Sequence, residues 1–149
     1  MHIVIGAAVA ALAALGGAAG FASGSRAPAG AAPATLQVAL GGVAGGKGKL
    51  MGAVCSRESF LKQCQYLTMQ PAGGAPVLEF AGVAPGSYAV MVYHDENGDG
   101  KLDRAASGVP LEGYGFSRNA RGKYGPPAFD DARIDIRSGA NRIALDMVY

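Results

Sequence analysis

Tryptophan is absent from the 149 residues, histidine and cysteine occur twice each, and only 16% of positions are charged. Each shortage excludes something. Lys+Arg 13 stand against Asp+Glu 11, for a net charge of +2. The cations are scattered rather than run together, so the sequence has no electrostatic footprint for nucleic acid or for an anionic membrane surface. Cys55 and Cys64 lack the spacing of a Cys-x-x-Cys redox pair, and no third soft ligand lies near them to complete a metal site. Long helical periods are missing too. Gly 24 and Pro 8 make about a fifth of the chain, a composition that argues against a long-helix protein. The length suits one ordinary domain plus whatever the ends contribute, and excludes a multidomain enzyme.

What is present begins with an uncharged stretch over residues 3–25. Its run Ile-Val-Ile-Gly-Ala-Ala-Val-Ala-Ala-Leu-Ala-Ala-Leu has the length of a secretory signal core, and small residues near Ala19 and Ala22 offer a cleavage site. Residues 1–22 are therefore expected to be a signal peptide. Residues 23–34, built of Ala, Gly, Pro and Ser with the single charge Arg26, are expected to be a flexible tether, because such a segment buries too little surface to offset its ordering entropy. The folded domain is then residues 35–149, periplasmic or secreted, with no transmembrane segment once the signal is removed.

Within that domain, Leu36, Val38 and Leu40 alternate with polar or small neighbours, and Leu50, Gly52 and Val54 repeat the pattern after a glycine-rich turn, which predicts a β-hairpin or near neighbour. Residues 77–80 and 87–94 follow, the latter apolar on both faces and so expected to be a central strand. Val83-Ala84-Pro85-Gly86 between them has the chemistry of a type II turn with Gly86 at φ > 0. Residues 132–136 and 141–148 give two more strands around Ser138-Gly139-Ala140. Short strands with turn signals predict an all-β domain, an antiparallel immunoglobulin-like or transthyretin-like β-sandwich. In an oxidising compartment Cys55 and Cys64 can close a disulfide worth roughly 2–3 kcal/mol if their Cα atoms come near enough; two buried thiols are the alternative.

The sharpest motif is Asp95-Glu96-Asn97-Gly98-Asp99-Gly100-Lys101-Leu102-Asp103. Oxygen donors at Asp95, Asn97, Asp99 and Asp103, the backbone carbonyl of Lys101, and a glycine at the sixth position match the first two-thirds of a calcium loop. The bidentate glutamate of the twelfth position is missing, since Ala106 stands there, which excludes an EF-hand. Weak Ca²⁺ binding is one expectation and a turn rich in local side-chain hydrogen bonds is the other. Downstream, Glu112, Tyr114, Phe116, Arg118, Tyr124 and Phe129 lie in a long stretch without strand or helix period. They read either as a surface for an envelope or extracellular ligand or protein, or as a satellite core that holds the stretch down.

The strings His-Asp-Glu-Asn-Gly-Asp-Gly-Lys-Leu-Asp, Gly-Val-Pro-Leu-Glu-Gly-Tyr-Gly-Phe-Ser and Gly-Pro-Pro-Ala-Phe-Asp-Asp-Ala resemble the bacterial exported family called domain of unknown function 2141. The resemblance runs from residue 36 to the end and is most specific over residues 88–132. It implies a small secreted or periplasmic β-sandwich of transthyretin-like or carboxypeptidase-regulatory-like type, with no established activity. Two functional readings follow. One is a non-enzymatic binding or structural module with a Ca²⁺ loop. The other is a small extracellular hydrolase or isomerase using His94, the only histidine past the signal, with nearby acids such as Glu112, Asp130 and Asp131, or with Ser117; for that reading fold analogy is the main warrant.

Overall fold

Alternation of apolar and polar side chains makes the strands, and the joins between them decide which sheet each strand enters. The structure is a computed structural model that describes residues 32–149; the expected signal peptide and most of the expected tether lie outside the described residues. In chain order come β1 (Ala34–Gly41), β2 (Lys49–Cys55), β3 (Tyr66–Pro71), β4 (Val77–Val83), β5 (Gly86–Asp95), β6 (Tyr114–Phe116), the single-turn α1 (Phe129–Ala132), β7 (Arg133–Ile136) and β8 (Gly139–Asp146). One sheet has the order β4-β1-β8. The other has the order β3-β2-β5-β6, with β7 also paired to β5.

The two sheets pack face to face, as in a β-sandwich. Leu36, Val38 and Leu40 of β1, with Leu78 and Phe80 of β4, meet Leu50, Val54, Val90 and Val92 from the opposite sheet in one buried cluster. At Gly52 the contact is tight: a Cβ there would strike Leu78 and Phe80 across the interface. The central role expected of residues 87–94 is met by β5, which pairs with β2 along one edge and shares its other edge between β7 and β6.

Three expectations are corrected. The sandwich is not wholly antiparallel, because β8 runs parallel to β1 from Ala34↔Gly139 to Gly41↔Asp146. β1 and β2 do not form a hairpin; each belongs to a different sheet, so their apolar faces meet across the core instead of lying side by side. Gly86 is not among the glycines with positive φ. The chain changes sheets there, and two tyrosines grip the bend: Ala84 N–H donates to the Tyr66 hydroxyl at 3.0 Å, and the Tyr88 hydroxyl donates to the Ala84 carbonyl at 2.6 Å. Burial and the neighbouring Tyr66 push the Tyr88 phenol up to about 12.

A second, smaller apolar cluster covers part of the outer face of the larger sheet. Cys55 and Cys64 are joined by a disulfide with Cα atoms 4.5 Å apart. The segment it closes carries Phe60, which packs edge-on against Phe116 at 6.1 Å and against Phe129 at 5.8 Å. Cys55, Ala89 and Ala132 complete this layer. Among the described residues no helix is long and apolar enough to cross a membrane.

Candidate functional site

β5 ends at Asp95, and the residue at the mouth of the acidic loop is almost wholly buried. Its carboxylate is occupied by the loop's own backbone. Oδ1 accepts from the N–H groups of Gly98 at 2.8 Å and Asp99 at 3.1 Å, and Oδ2 accepts from Gly100 N–H at 2.8 Å. Glu112, also buried, closes the other side. Its two oxygens accept from Glu96 N–H and Asp103 N–H, each at 3.0 Å. Carboxylates that accept several backbone N–H bonds form strong charge-assisted contacts, so these two side chains hold residues 96–103 in a wrapped form.

The remaining motif residues lie on the outside of that wrap. Asn97 Oδ1 accepts from Asp99 N–H at 3.1 Å and Asp99 Oδ1 from Lys101 N–H at 2.9 Å, while the Asn97 amide donates to the Asp103 carboxylate. Desolvation, together with the negative charges of Asp99 and Glu112, raises the Asp103 pKa in spite of the Asn97 bond. Burial, with Asp95, Asp99 and Glu112, likewise raises the Tyr93 phenol, whose hydroxyl donates to the Gly100 carbonyl at 3.0 Å. The loop is thus a region of negative potential. The oxygens expected to form one ligand set are divided: Asp95 faces the backbone, whereas Asn97, Asp99 and Asp103 neighbour one another outside it. Among the described residues no three His, Cys, Asp or Glu side chains are grouped to hold a metal ion.

Beyond Asp103 the chain makes a short finger. Leu111 N–H donates to the Asp103 carbonyl and Ala105 N–H to the Val109 carbonyl, both at 2.8 Å, leaving Val109 and Leu111 exposed.

Of the residues considered for catalysis, His94, Ser117, Asp130 and Glu112 are engaged in structural bonds, whereas Asp131 is exposed on α1. His94 is buried; its Nε2 lies 2.6 Å from the Lys47 carbonyl and its Nδ1 2.8 Å from the Tyr149 hydroxyl. A carbonyl only accepts, so Nε2 carries a proton and donates to Lys47, while Nδ1 shares its hydrogen bond with the Tyr149 hydroxyl and has Glu96 Oε1 3.7 Å away. Tyr149 in turn accepts from Ala44 N–H at 3.0 Å. The ring therefore ties the β1–β2 connection to the last residue of the chain and presents no free nitrogen. Ser117 is buried, donates to the Ala132 carbonyl and accepts from Val90 N–H at 2.9 Å. Asp130 forms a two-pronged ion pair with Arg57, which lowers its pKa.

Of the long aromatic stretch, Phe116 and Phe129 are buried in the second cluster and Tyr114 packs against it. Arg118 and Tyr124 remain exposed, and Glu112 sits inside as the loop clamp. Sequence reasoning did not find the His94–Tyr149 tie or the Arg57–Asp130 pair, whose partners are separated by 55 and 73 positions with no local pattern to link them.

Residues 38–144 match the family described as an uncharacterized protein conserved in bacteria, domain of unknown function 2141. No curated protein and no solved structure matches the chain.

Proposed function

The chain belongs to this bacterial family, and from its fold and its loops we propose that it is an extracytoplasmic, non-enzymatic binding module of the transthyretin-like or immunoglobulin-like sandwich type, with the acidic loop as a weak Ca²⁺ site. The observation that carries the reading is the pair of buried carboxylates, Asp95 and Glu112, which hold the loop wrapped through five backbone N–H groups. A loop held this way needs no ion to take its shape. Asn97, Asp99, Asp103 and the Lys101 carbonyl are left to meet a hard cation from outside, and the raised Asp103 carboxyl marks negative charge that such a cation would relieve. With two carboxylates and no bidentate glutamate, a dissociation constant on the order of 10⁻⁴–10⁻³ M is expected.

The disulfide and the signal-like amino-terminal segment support placement outside the cytoplasm. The engagement of His94, Ser117, Asp130 and Glu112 in structural bonds favours the module over the hydrolase or isomerase. Thermal unfolding in EDTA, then in millimolar Ca²⁺ or Mg²⁺, tests the ion site, since a ligand of the native state stabilises by ~2.7 kcal/mol at a hundredfold excess over its dissociation constant. A calcium-selective rise that Asp99→Asn/Asp103→Asn abolishes is the expected result. Identical melting in all three conditions would reduce the loop to turn chemistry.

A further inference from the structure

Over the whole chain the cations are scattered and give no footprint for an anionic surface, but Arg118, Arg121 and Lys123 fall within six residues around a second loop and are a local exception to that reading. Residues 121–126, Arg-Gly-Lys-Tyr-Gly-Pro, are all exposed, and the chain returns to the interior at Pro127 and Phe129. The loop doubles back tightly, because a Cβ on Gly122 would collide with the carbonyl oxygens of Gly125 and Pro126. Lys123 and Tyr124 therefore stand at its tip. Tyr124 is 92% exposed, and the Lys123 ammonium lies 5.4 Å from its ring centre. The base is fixed before the loop by buried Ser117 and by the paired bonds of Asn119 with Asp146 at 2.7 and 3.1 Å, and after it by buried Pro127 and Phe129. Arg121 and Lys123 take part in no salt bridge among the described residues, and Arg118 projects beside them, exposed, with its guanidinium donating to the Asp130 carbonyl at 3.4 Å.

We propose that residues 121–126 are a contact loop for a bilayer surface bearing anionic phospholipid headgroups, with Arg118, Arg121 and Lys123 meeting the phosphates and Tyr124 seated among the headgroups. A protruding tip suits a bilayer better than a polysaccharide, which calls for a concave or flat aromatic platform. An amphipathic ring flanked by cations is the chemistry of the membrane–water interface. Basic residues near such a surface contribute about 1 kcal/mol each, an attraction that salt screens.

The test is co-sedimentation of the chain, expressed with its amino-terminal segment so that any processing takes place in the cell, with vesicles of phosphatidylcholine alone or mixed with phosphatidylglycerol, in EDTA. The expected result is binding to the mixed vesicles only, weakened by salt. It falls roughly thirtyfold in Arg121→Ala/Lys123→Ala and falls also in Tyr124→Ser, while Arg137→Ala/Arg142→Ala, of equal charge but on exposed positions elsewhere, binds as the parent does. Equal loss in both double variants would mean that net charge and not the loop is read, and would overturn the proposal. So would binding that appears only when Ca²⁺ replaces EDTA, or retention by an anionic polysaccharide without retention by vesicles. Circular dichroism melting of each variant at the parent temperature separates lost contact from lost fold.

Discussion

Two long connections flank β6, and the main hold on each is different. Residues 96–113 are fixed by carboxylates that accept backbone N–H bonds. Residues 117–132 are fixed by apolar packing, with Phe116 and Phe129 against the Phe60 of the disulfide-closed segment, to which the bonds of Ser117 and Asn119 and the Arg57–Asp130 pair are added. The first loop answers to pH and to ions, whereas the second answers above all to packing and, through the disulfide, to redox state, with pH entering only at Asp130. The same domain thus offers two ends with separate sensitivities.

The largest effect should come from breaking the apolar side. Phe129→Ala removes a buried ring from the second cluster and should cost about 3–5 kcal/mol in urea unfolding, with hydrogen exchange of the acidic loop unchanged until global unfolding. Exchange that rises equally in both loops would show that they are one cooperative unit. On the polar side, Asp95→Ala leaves the N–H groups of Gly98 and Gly100 without their acceptor and that of Asp99 with Asn97 alone, and should cost about 3 kcal/mol, with early exchange at Gly98 and Gly100. Loss of the disulfide in Cys55→Ser/Cys64→Ser should cost ~2–3 kcal/mol. Its signature is proteolytic nicking within residues 56–64, with the acidic loop intact.

The smallest effects sharpen the contrast most, because their pH dependence has opposite sign. Asp103 has its pKa raised above 3.8 in the fold. Its protonated form is the favoured one, so its contribution is present below that value and is lost as pH rises through the raised folded value. Asp103→Asn should therefore melt slightly above the parent at neutral pH and converge with it in acid. Asp130, its pKa lowered from 3.8 chiefly by the bond from Arg57, contributes above its ordinary value and loses that contribution as pH falls through the lowered one. Asp130→Asn should melt slightly below the parent at neutral pH and converge with it in acid. Two variants that shift in the same direction would contradict the division of the loops.

How legible this was depends on distance along the chain. Leu36, Val38 and Leu40 announce a strand because each side chain's face follows from its neighbours two positions away. Asp95 to Asp103 announce a tight loop for the same local reason. The roles of Glu112 and His94 were not legible: Glu112 reads as part of a ligand surface or as a catalytic acid until it is seen to close a loop that began sixteen positions earlier, and His94 reads as a base until Tyr149 is seen on its other nitrogen. Phe116 and Phe129 read more readily as core than as a ligand surface, and the second cluster buries both, but an aromatic residue carries no mark of which side will be covered. Even the cations of residues 118–123, unremarkable in the overall composition, gain meaning only when the fold puts the intervening residues on a protruding tip.

By itself the sequence determined six of the eight strands among the described residues, missing β3 and β6, together with the sandwich class, the acidic loop and the family, since period-two burial, turn chemistry and motif spacing are properties of near neighbours. Only the tertiary structure decided that β1 and β2 face each other across the core, that β8 returns parallel to β1, that Cys55 meets Cys64, and which carboxylates turn inward. Those outcomes depend on which surfaces exclude water together, and that is set by residues far apart in the chain.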